Sequence, residues 1–361
     1  MSKTSISWTE QTWNPIVGCS VVSPGCTNCY AMKEAWRFGH NTKLPQYHGL
    51  TQTTKGGSVW TGKVALAEKA LLAPLRRRKP TMYFVNSMGD LFHENVPDDW
   101  IDRVFAVMAL CPQHTFQVLT KRSKRMRAYF QKDPFDRVFL AMMEHTSRGY
   151  PTVKETMQQL GMTWVQPASR DDWWPLRNVW LGVSAEDQTR ADERIPDLLN
   201  TPAAIRFVSA EPLLGAIDLR RWLYAMLDHH AAGLSDDPMA AGMLCDAIKA
   251  GRASGPMRPA LNWIITGGES GPNARPMHPD WARSIRDQCA EAGVAFHFKQ
   301  WGEWAPDDHF THFPDKITDR GMHEWFATDG MTVESHSWRY GKARAGRLLD
   351  GRTHDAMPEV L

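Results

Sequence analysis

The stretch "TMYFVNSMGDLFHENVPDDWIDRVFAVMALCPQHTFQVLTKR", residues 81–122, has the pattern of one complete βαβ unit. Its β-branched and aromatic run at 81–85 predicts a strand, and residues 100–110 have the apolar spacing of a helix. A second strand is predicted at 115–119. A strand, a helix and a second strand in this order are typical of a crossover between parallel strands.

The same alternation continues on both sides of this unit. Further strands are predicted at residues 179–183, 205–209, 262–266 and 295–299, and a first strand leads into residues 13–31. Helices are predicted at residues 63–75, 191–199 and 279–292. The pattern predicts an α/β fold, a full or partial TIM-type (β/α) barrel of about six to eight parallel strands.

The domain organisation follows from the places where this rhythm breaks. We predict a barrel domain over residues 1–304 and a C-terminal extension over 305–361. Residues 130–177 and 216–260 are too long for simple connections, so we expect helical insertions there.

The composition is that of a globular protein, with 42% hydrophobic residues, 23% charged residues and a formal net charge of +2. No apolar run approaches the roughly 20 residues that span a bilayer, so no membrane association is expected. The first residues lack the apolar core of a secretory signal. We therefore expect a cytoplasmic protein whose thiols stay reduced.

Three of the six cysteines lie in "WNPIVGCSVVSPGCTNCYA", residues 13–31. Cys19, Cys26 and Cys29 are spaced C-x6-C-x2-C among residues that favour turns. In a reducing compartment this clustering indicates metal-binding thiolates rather than a disulfide. Buried structural cysteines normally lie on apolar helix or strand faces, as Cys111, Cys245 and Cys289 are predicted to do, so three unrelated buried thiols are the weaker alternative.

Two kinds of metal site are open to three thiolates. A structural zinc ion needs a fourth protein ligand, for which His40 and His48 are the nearest imidazoles. A 4Fe-4S cluster can instead be held by three closely spaced cysteines, which leaves one iron free for a substrate or cofactor.

Polar residues follow the predicted strands, and in a parallel barrel these positions converge on one face. Glu186, Glu211 and Glu269 could bind ligand hydroxyls or an ammonium group, while Lys121 and Arg122 could hold a phosphate. The other candidates at strand ends are Asn86, Ser87, Asp90, Gly267, Gly268, Ser270 and Lys299. We expect all of them to line one ligand cavity.

Several motifs together resemble a three-Cys-motif family of phages and bacteria whose function is poorly defined. They are WNP through GC at residues 13–19, SPGCTNCYA at 23–31, NSMGDLF at 86–92, LTKR at 119–122, GVS at 182–184, SAEPLLG at 209–215 and GGES at 267–270. The match covers roughly residues 8–304. The resemblance implies a three-Cys-motif partner protein.

More distantly, the cysteine loop resembles the radical S-adenosylmethionine (SAM) superfamily. That resemblance implies a 4Fe-4S cluster on Cys19, Cys26 and Cys29, with SAM bound to the open iron and cleaved to a radical that abstracts hydrogen. Here six residues separate the first two cysteines, where that superfamily has three, and Asn28 replaces the usual aromatic residue.

The resemblance also implies roles for the strand-end residues. Asn86, Ser87 and Asp90 would contact the amino or carboxylate group of SAM, and Glu211 or Glu269 its ribose, with Gly267 and Gly268 allowing close approach. The remaining predicted roles are catalytic for Lys121, Glu186 and Lys299, and substrate-binding for Arg122 and Ser270.

We therefore predict an iron–sulfur, radical-SAM-like enzyme that acts on a nucleotide or nucleic acid in phage-associated modification or repair. The alternative is a zinc-stabilised nucleic-acid-binding module without catalysis.

Overall fold

The structure, a computed structural model, describes residues 2–161, 169–170, 172–223, 260–306, 321–327 and 332–359. The chain divides into two compact units, residues 1–184 with 196–205, and residues 185–195 with 206–361.

The strands are, in chain order, β1 (Ser2–Lys3), β2 (Gln11–Trp13), β3 (Ile16–Val17), β4 (Thr51–Thr54), β5 (Gly57–Trp60), β6 (Ala65–Leu66), β7 (Met82–Val85), β8 (Thr115–Thr120), β9 (Val179–Ser184), β10 (Ile205–Ala210), β11 (Trp263–Gly267), β12 (Ala295–Gln300), β13 (Trp304–Pro306), β14 (Met322–Phe326) and β15 (Val333–Arg339). The helices are α1 (Tyr30–Gly39), α2 (Glu68–Leu71), α3 (Asp98–Leu110), α4 (Ser123–Gln131), α5 (Phe135–Ser147), α6 (Val153–Gln159), α7 (Gln188–Leu199), α8 (Arg220–Leu223), α9 (Pro279–Ala292) and α10 (Lys342–Ala345). Short 3-10 turns lie at Pro24–Cys26, Pro45–Tyr47 and Pro74–Arg76.

The first unit is built on the parallel strands β2, β7, β8 and β9, with β1 antiparallel to β2. Trp13 lies opposite Val85, which lies opposite Val118, and all three side chains are fully buried. The buried side chains of these strands are mainly apolar, because both faces of a parallel sheet are normally covered. Helix α3 gives most of its residues to this core and packs against α5.

A second, smaller core lies under the cysteine loop. Ala31, Met32 and Ala35 of α1 pack there with Leu50 and Trp60. Because these three helical positions share one side of α1, the other side faces solvent.

The second unit carries the parallel strands β10, β11 and β12 and an antiparallel sheet in the order β13, β15, β14. The C-terminal segment runs along β12: the Phe298 N–H donates to the His354 carbonyl at 2.9 Å, and the Trp301 N–H donates to the Gly346 carbonyl at 3.0 Å. Covering an edge strand removes a template for unwanted strand pairing.

The predicted fold class is confirmed. Across the described ranges seven parallel strands alternate with helices, in the α/β arrangement of a partial TIM-type barrel. The strand bounds agree with the sequence prediction within one or two residues.

The predicted helix at 63–75 is wrong for most of its length. Only Glu68–Leu71 is α-helical, and β6 pairs with β3 beside the cysteine loop. The Ala67 N–H donates to the Pro15 carbonyl at 2.7 Å, so this long-range pairing overrides the local helical pattern.

Helices α5 and α6 lie within the predicted insertion at 130–177, but most of the insertion at 216–260 lies outside the described residues. The predicted domain boundaries stay a prediction. Within the described ranges, none of the helices combines the length and apolar character needed to cross a bilayer.

Candidate thiol site and strand-end ion pairs

The cysteine loop is anchored on the loop that follows β7. The Gly18 N–H donates to the Met88 carbonyl at 3.0 Å, and Gly18 forms an isolated bridge with Gly89. Asn14 Oδ1 accepts from the Met88 N–H at 3.0 Å and from Ser87 Oγ at 3.2 Å. Gly18 has a φ of +95°, and a Cβ there would lie 2.2 Å from the Lys63 carbonyl oxygen, so only glycine fits. Two distant motifs therefore build one local structure.

Cys29 is the residue that precedes α1 and caps its N-terminus. The Lys121 ammonium lies near enough to the Cys29 sulfur to interact with it. Burial nevertheless raises the pKa of the Cys29 thiol, although the backbone amides at the start of α1 and the charge of Lys121 act to lower it. The helix N-terminus and the nearby cation therefore oppose burial, which has the larger effect on this thiol.

Cys19 contacts the guanidinium of Arg122, whose Nη1 donates to Cys19 Sγ at 3.5 Å. Burial raises the pKa of Cys19 to about 12, although Arg122 acts to lower it. A thiol with a raised pKa still loses its proton when it becomes a ligand of a metal ion.

Arg122 is 6% exposed, and its guanidinium has several further acceptors. Nε donates to Glu94 Oε2 at 3.1 Å, and Nη2 donates to the carbonyl and the hydroxyl of Ser20 at 3.2 and 2.8 Å. Nη1 also donates to Asp90 Oδ2 at 3.1 Å. Burial alone would lower the Arg122 pKa, but the charges of Asp90, Cys19 and Glu94 outweigh it and raise the pKa. Arg122 therefore binds the start of the cysteine loop in a fixed position.

Asp90 accepts hydrogen bonds on both carboxylate oxygens. Oδ1 accepts from the Phe92 N–H at 3.0 Å and from Thr120 Oγ1 at 2.7 Å, and Oδ2 accepts from the Lys121 N–H at 3.1 Å as well as from Arg122. We infer that Asp90 is a positioning residue, which orients Arg122 and the end of β8.

The three thiols are electrostatic neighbours that do not converge on one point. Cys26 and Cys29 both act on the pKa of Cys19, so their sulfurs lie close enough for thiolate charges to interact. Within the described ranges, however, no three His, Cys, Asp or Glu side chains are arranged to hold a single metal ion.

The two imidazoles considered as zinc ligands lie at the far end of α1. Cys29 precedes this ten-residue helix and His40 follows it, so about 15 Å of helix separates them. His40 Nδ1 bonds to the Trp36 carbonyl at 2.7 Å, and His48 Nε2 bonds to the Asn41 carbonyl at 3.3 Å. Neither ring is positioned as the fourth ligand of a zinc ion on the loop.

Asn86 directly follows β7 and has a φ of +60°, a backbone conformation that asparagine tolerates better than most residues. Its Oδ1 accepts from the Ile16 N–H at 3.2 Å, whereas its buried Nδ2 has no hydrogen-bond partner in the described chain. An unpaired buried donor is costly unless a ligand supplies the acceptor.

In the second unit, Glu211 and Lys299 form a close ion pair. Lys299 Nζ donates to both Glu211 oxygens at 2.7 and 2.8 Å, and each side chain is 16% exposed. Gln300 Nε2 donates to Ser270 Oγ at 2.9 Å and reaches Glu211 Oε1 at 3.4 Å. The ends of β10, β11 and β12 thus contribute side chains to one polar cluster.

The other two strand-end glutamates form ion pairs with arginines rather than with a lysine. Glu269 accepts from Arg275 at Nε, at 2.9 Å, and at Nη2, at 2.6 Å. Glu186 is fully buried and accepts from Arg194 Nη1 at 3.0 Å. Each carboxylate is held by a cation in its own unit, and sequence reasoning singled out neither arginine.

Only glycine fits at position 268, because this chain's own backbone lies close to it. A Cβ at Gly268 would lie 1.9 Å from the Trp301 carbonyl oxygen, and one at Gly302 would lie 2.1 Å from the Glu269 carbonyl oxygen. The carboxyl carbon of Glu211 would lie 3.4 Å from a Cβ on Gly267. The close approach predicted for a ligand at Gly268 is made by this chain's own backbone.

The structure thus brings the predicted site residues together in two groups. The first unit assembles Cys19, Cys26, Cys29, Asn86, Ser87, Asp90, Lys121 and Arg122, and the second assembles Glu186, Glu211, Gly267, Gly268, Glu269, Ser270 and Lys299. That both groups line one cavity stays a prediction. The sequence analysis missed three polar residues of these groups, Asn14, Ser20 and Gln300. The signals that could have indicated them are the WNP motif for Asn14, the cysteine loop for Ser20 and the strand end for Gln300.

Residues 3–358 match the model of a family described as protein of unknown function, DUF5131. The chain belongs to this family. The motifs predicted that the chain belongs to a family without a defined function, and this match confirms that prediction. No curated protein and no solved structure matches the chain.

Proposed function

We propose that this member of DUF5131 is an iron–sulfur enzyme, with Cys19, Cys26 and Cys29 as ligands of a 4Fe-4S cluster, and that it performs a radical-SAM-like reaction on a nucleotide or nucleic acid. The observation that carries the proposal is the grouping of the three thiols beside Lys121 and Arg122. Cationic neighbours stabilise thiolate ligands because they offset the negative charge that the ligands carry.

The arrangement of the thiols favours a cluster over a single ion. A cubane cluster binds each thiolate through a different iron atom, so its ligands need not meet at one point. A zinc ion requires four ligands around one centre, and within the described ranges no such convergence is present.

The chain's own residues would prepare this site in distinct ways. Arg122 orients Cys19, and the Lys121 ammonium lies near the sulfur of Cys29. Asn86 Nδ2, which has no partner in the part of the chain that the structure describes, is a donor for a carboxylate such as that of SAM. When bound, a 4Fe-4S cluster with an open iron would supply the electron that begins SAM cleavage.

A phosphate-bearing substrate is supported by the charges at the strand ends. Lys121 is half-buried beside Cys29, and the partly exposed Glu211–Lys299 pair offers an acceptor and a donor. Such groups bind phosphates and ribose hydroxyls. The proposal also includes a three-Cys-motif partner protein and an association with phages, both of which the sequence resemblance implies. It includes a cytoplasmic location, where the thiols would stay reduced.

The test is anaerobic purification followed by measurement of iron, sulfide and zinc. We expect about four irons and four sulfides per chain, a change in the spectrum of the dithionite-reduced cluster on addition of SAM, and release of 5'-deoxyadenosine. The Cys111→Ala variant, which alters a buried thiol outside the loop, should behave like the natural chain. One zinc and no iron would overturn the enzyme proposal in favour of a zinc-stabilised nucleic-acid-binding module.

A further inference from the structure

Residues 13–67, which contain the cysteine loop, α1 and the β4–β5 hairpin, have a strongly uneven charge. This segment contains Lys33, Arg37, Lys43, Lys55 and Lys63 but a single acidic residue, Glu34. Glu34 is already paired with Arg37. The whole chain has a net charge of only +2, so positive charge is concentrated in this segment.

The exposed side of α1 alternates cationic and aromatic side chains. Lys33, Trp36, Arg37 and His40 are all exposed and follow each other at helical spacing. Trp36 is 42% exposed, and the centroid of its ring lies 4.4 Å from that of His40. An exposed aromatic ring beside cations offers a flat apolar face to a ligand.

The β4–β5 hairpin extends this surface. Trp36 Nε1 donates to Thr53 Oγ1 of β4 at 3.2 Å, which holds the indole against the hairpin. Lys55 lies in the turn between the two strands and is exposed. We call the exposed side chains Lys33, Trp36, Arg37, His40 and Lys55 the basic face.

From these observations we propose that the basic face binds single-stranded nucleic acid, with the cations on phosphates and a base stacked on Trp36. Sequence-tolerant binders of single strands combine a positive track with aromatic rings on which unpaired bases stack. A duplex keeps its bases stacked on each other, so it could use the cations but not the indole. Helix α1 begins at Tyr30, directly after Cys29, so the track starts next to the thiol site.

The inference rests on the proposed function in one respect only, that nucleic acid is the substrate. It adds that this nucleic acid is single-stranded. The binding itself needs neither metal nor SAM. It can therefore be measured on metal-free protein and on reconstituted protein separately.

The experiment is fluorescence anisotropy of a labelled 20-nucleotide mixed-sequence single strand and of its duplex, across a range of salt concentrations. We expect tighter binding of the single strand than of the duplex. Lys33→Gln combined with Lys55→Gln should reduce the slope of log K against log salt by about 1.4, since each lost phosphate contact removes about 0.7. Trp36→Ala should weaken binding at least about fivefold, and Trp36→Phe should retain most of it.

Matched controls remove equal charge or equal apolar area elsewhere. Lys154→Gln combined with Lys342→Gln changes two exposed lysines outside the basic face, and Leu140→Ala truncates a side chain that is 68% exposed on α5. These variants should bind like the natural chain. Equal losses in the controls, equal affinity for duplex, or no saturable binding would overturn the inference.

An acidic protein is the competing occupant of a basic surface. Poly-L-glutamate that binds as tightly as the oligonucleotide and is indifferent to Trp36→Ala would assign the face to such a partner and overturn the inference. If the protein takes up no iron on anaerobic reconstitution but binds the oligonucleotide, only the cluster proposal fails. A SAM-responsive cluster in a protein that binds no single strand would sink only the inference.

Discussion

The guanidinium of Arg122 donates to the sulfur of Cys19 across 3.5 Å, although 103 positions separate the two residues in the chain. Arg122 is held in turn by Asp90, which follows the neighbouring strand β7. The thiol site is therefore joined directly to the ends of the parallel strands.

Loss of Arg122 should destabilise the first unit. In Arg122→Gln, Asp90 loses its charged partner while it stays buried, and breaking a buried ion pair costs about 3 to 5 kcal/mol of unfolding free energy. Urea unfolding would measure it. Arg148→Gln in the same unit, whose pair with Glu144 is exposed at 52% for the arginine and 50% for the glutamate, should cost less than about 1 kcal/mol. Equal losses in the two variants would contradict the role assigned to Arg122.

Only the loop cysteines should matter for iron content. Cys19→Ala, Cys26→Ala and Cys29→Ala should each lose the cluster, because a cluster with one open iron has no spare protein ligand. Cys111→Ala and Cys289→Ala alter buried thiols, and iron should be unchanged in both. Cys245→Ala is expected to behave alike, although Cys245 lies outside the described residues. A loop variant with full iron content would remove that cysteine from the ligand set.

SAM binding should depend on Glu269. Glu269→Ala removes a carboxylate that could accept from ribose hydroxyls, so we expect SAM to bind more weakly by about 1 to 3 kcal/mol, measured by titration of the reduced cluster's spectrum. Arg275→Gln leaves the carboxylate in place and serves as the control. A loss in Arg275→Gln as large as in Glu269→Ala would show that the ion pair acts by holding the loop.

Gly268→Ala should be severely destabilising. The added Cβ would lie 1.9 Å from the Trp301 carbonyl oxygen, so backbone must move. Overpacking of this kind costs about 3 kcal/mol or more. At Gly215 the nearest atom to an added Cβ is Asp187 Cβ at 3.5 Å, an ordinary contact, so Gly215→Ala should be close to neutral. Thermal unfolding of the two variants gives the comparison, and a stable Gly268→Ala chain would contradict the packing described here.

Acid should weaken the fold through buried histidines. Burial lowers the pKa of His114 and of His297 to about 4 from 6.5. Between these values the unfolded chain binds protons that the folded chain does not. The contribution to stability is therefore fully present above about pH 6.5 and is lost as pH falls towards 4, by at most about 1.4 kcal/mol per pH unit for each histidine.

Denaturant unfolding at pH 7.5, 6 and 5 checks this dependence. His114→Gln should flatten the fall in stability, because glutamine can still donate to the Pro74 carbonyl, to which His114 Nε2 bonds at 3.3 Å, but does not titrate. A curve for His114→Gln parallel to that of the natural chain would contradict the assignment.

Local pattern was sufficient for most of the secondary structure. The predicted helix at 279–292 matches α9 at both ends, because Pro279 can begin a helix and Gly293 adopts the left-handed conformation that ends one. The segment 63–75 failed because its decisive contact, between Ala67 and Pro15, joins residues far apart in the chain. Periodicity contains no information about such pairings.

The sequence by itself determined the α/β class, the order of the parallel strands along the chain and the clustering of three thiols on a turn-rich loop, because strand and helix periods and short spacings are local properties. Only the tertiary structure decided the partners of the polar side chains. It occupied Asp90 with four donors, gave Glu269 and Glu186 their arginines, left Asn86 Nδ2 without a partner among the described residues, and placed His40 at the far end of α1 from Cys29. These outcomes depend on which loops meet in space, and the long-range packing of buried groups decides that.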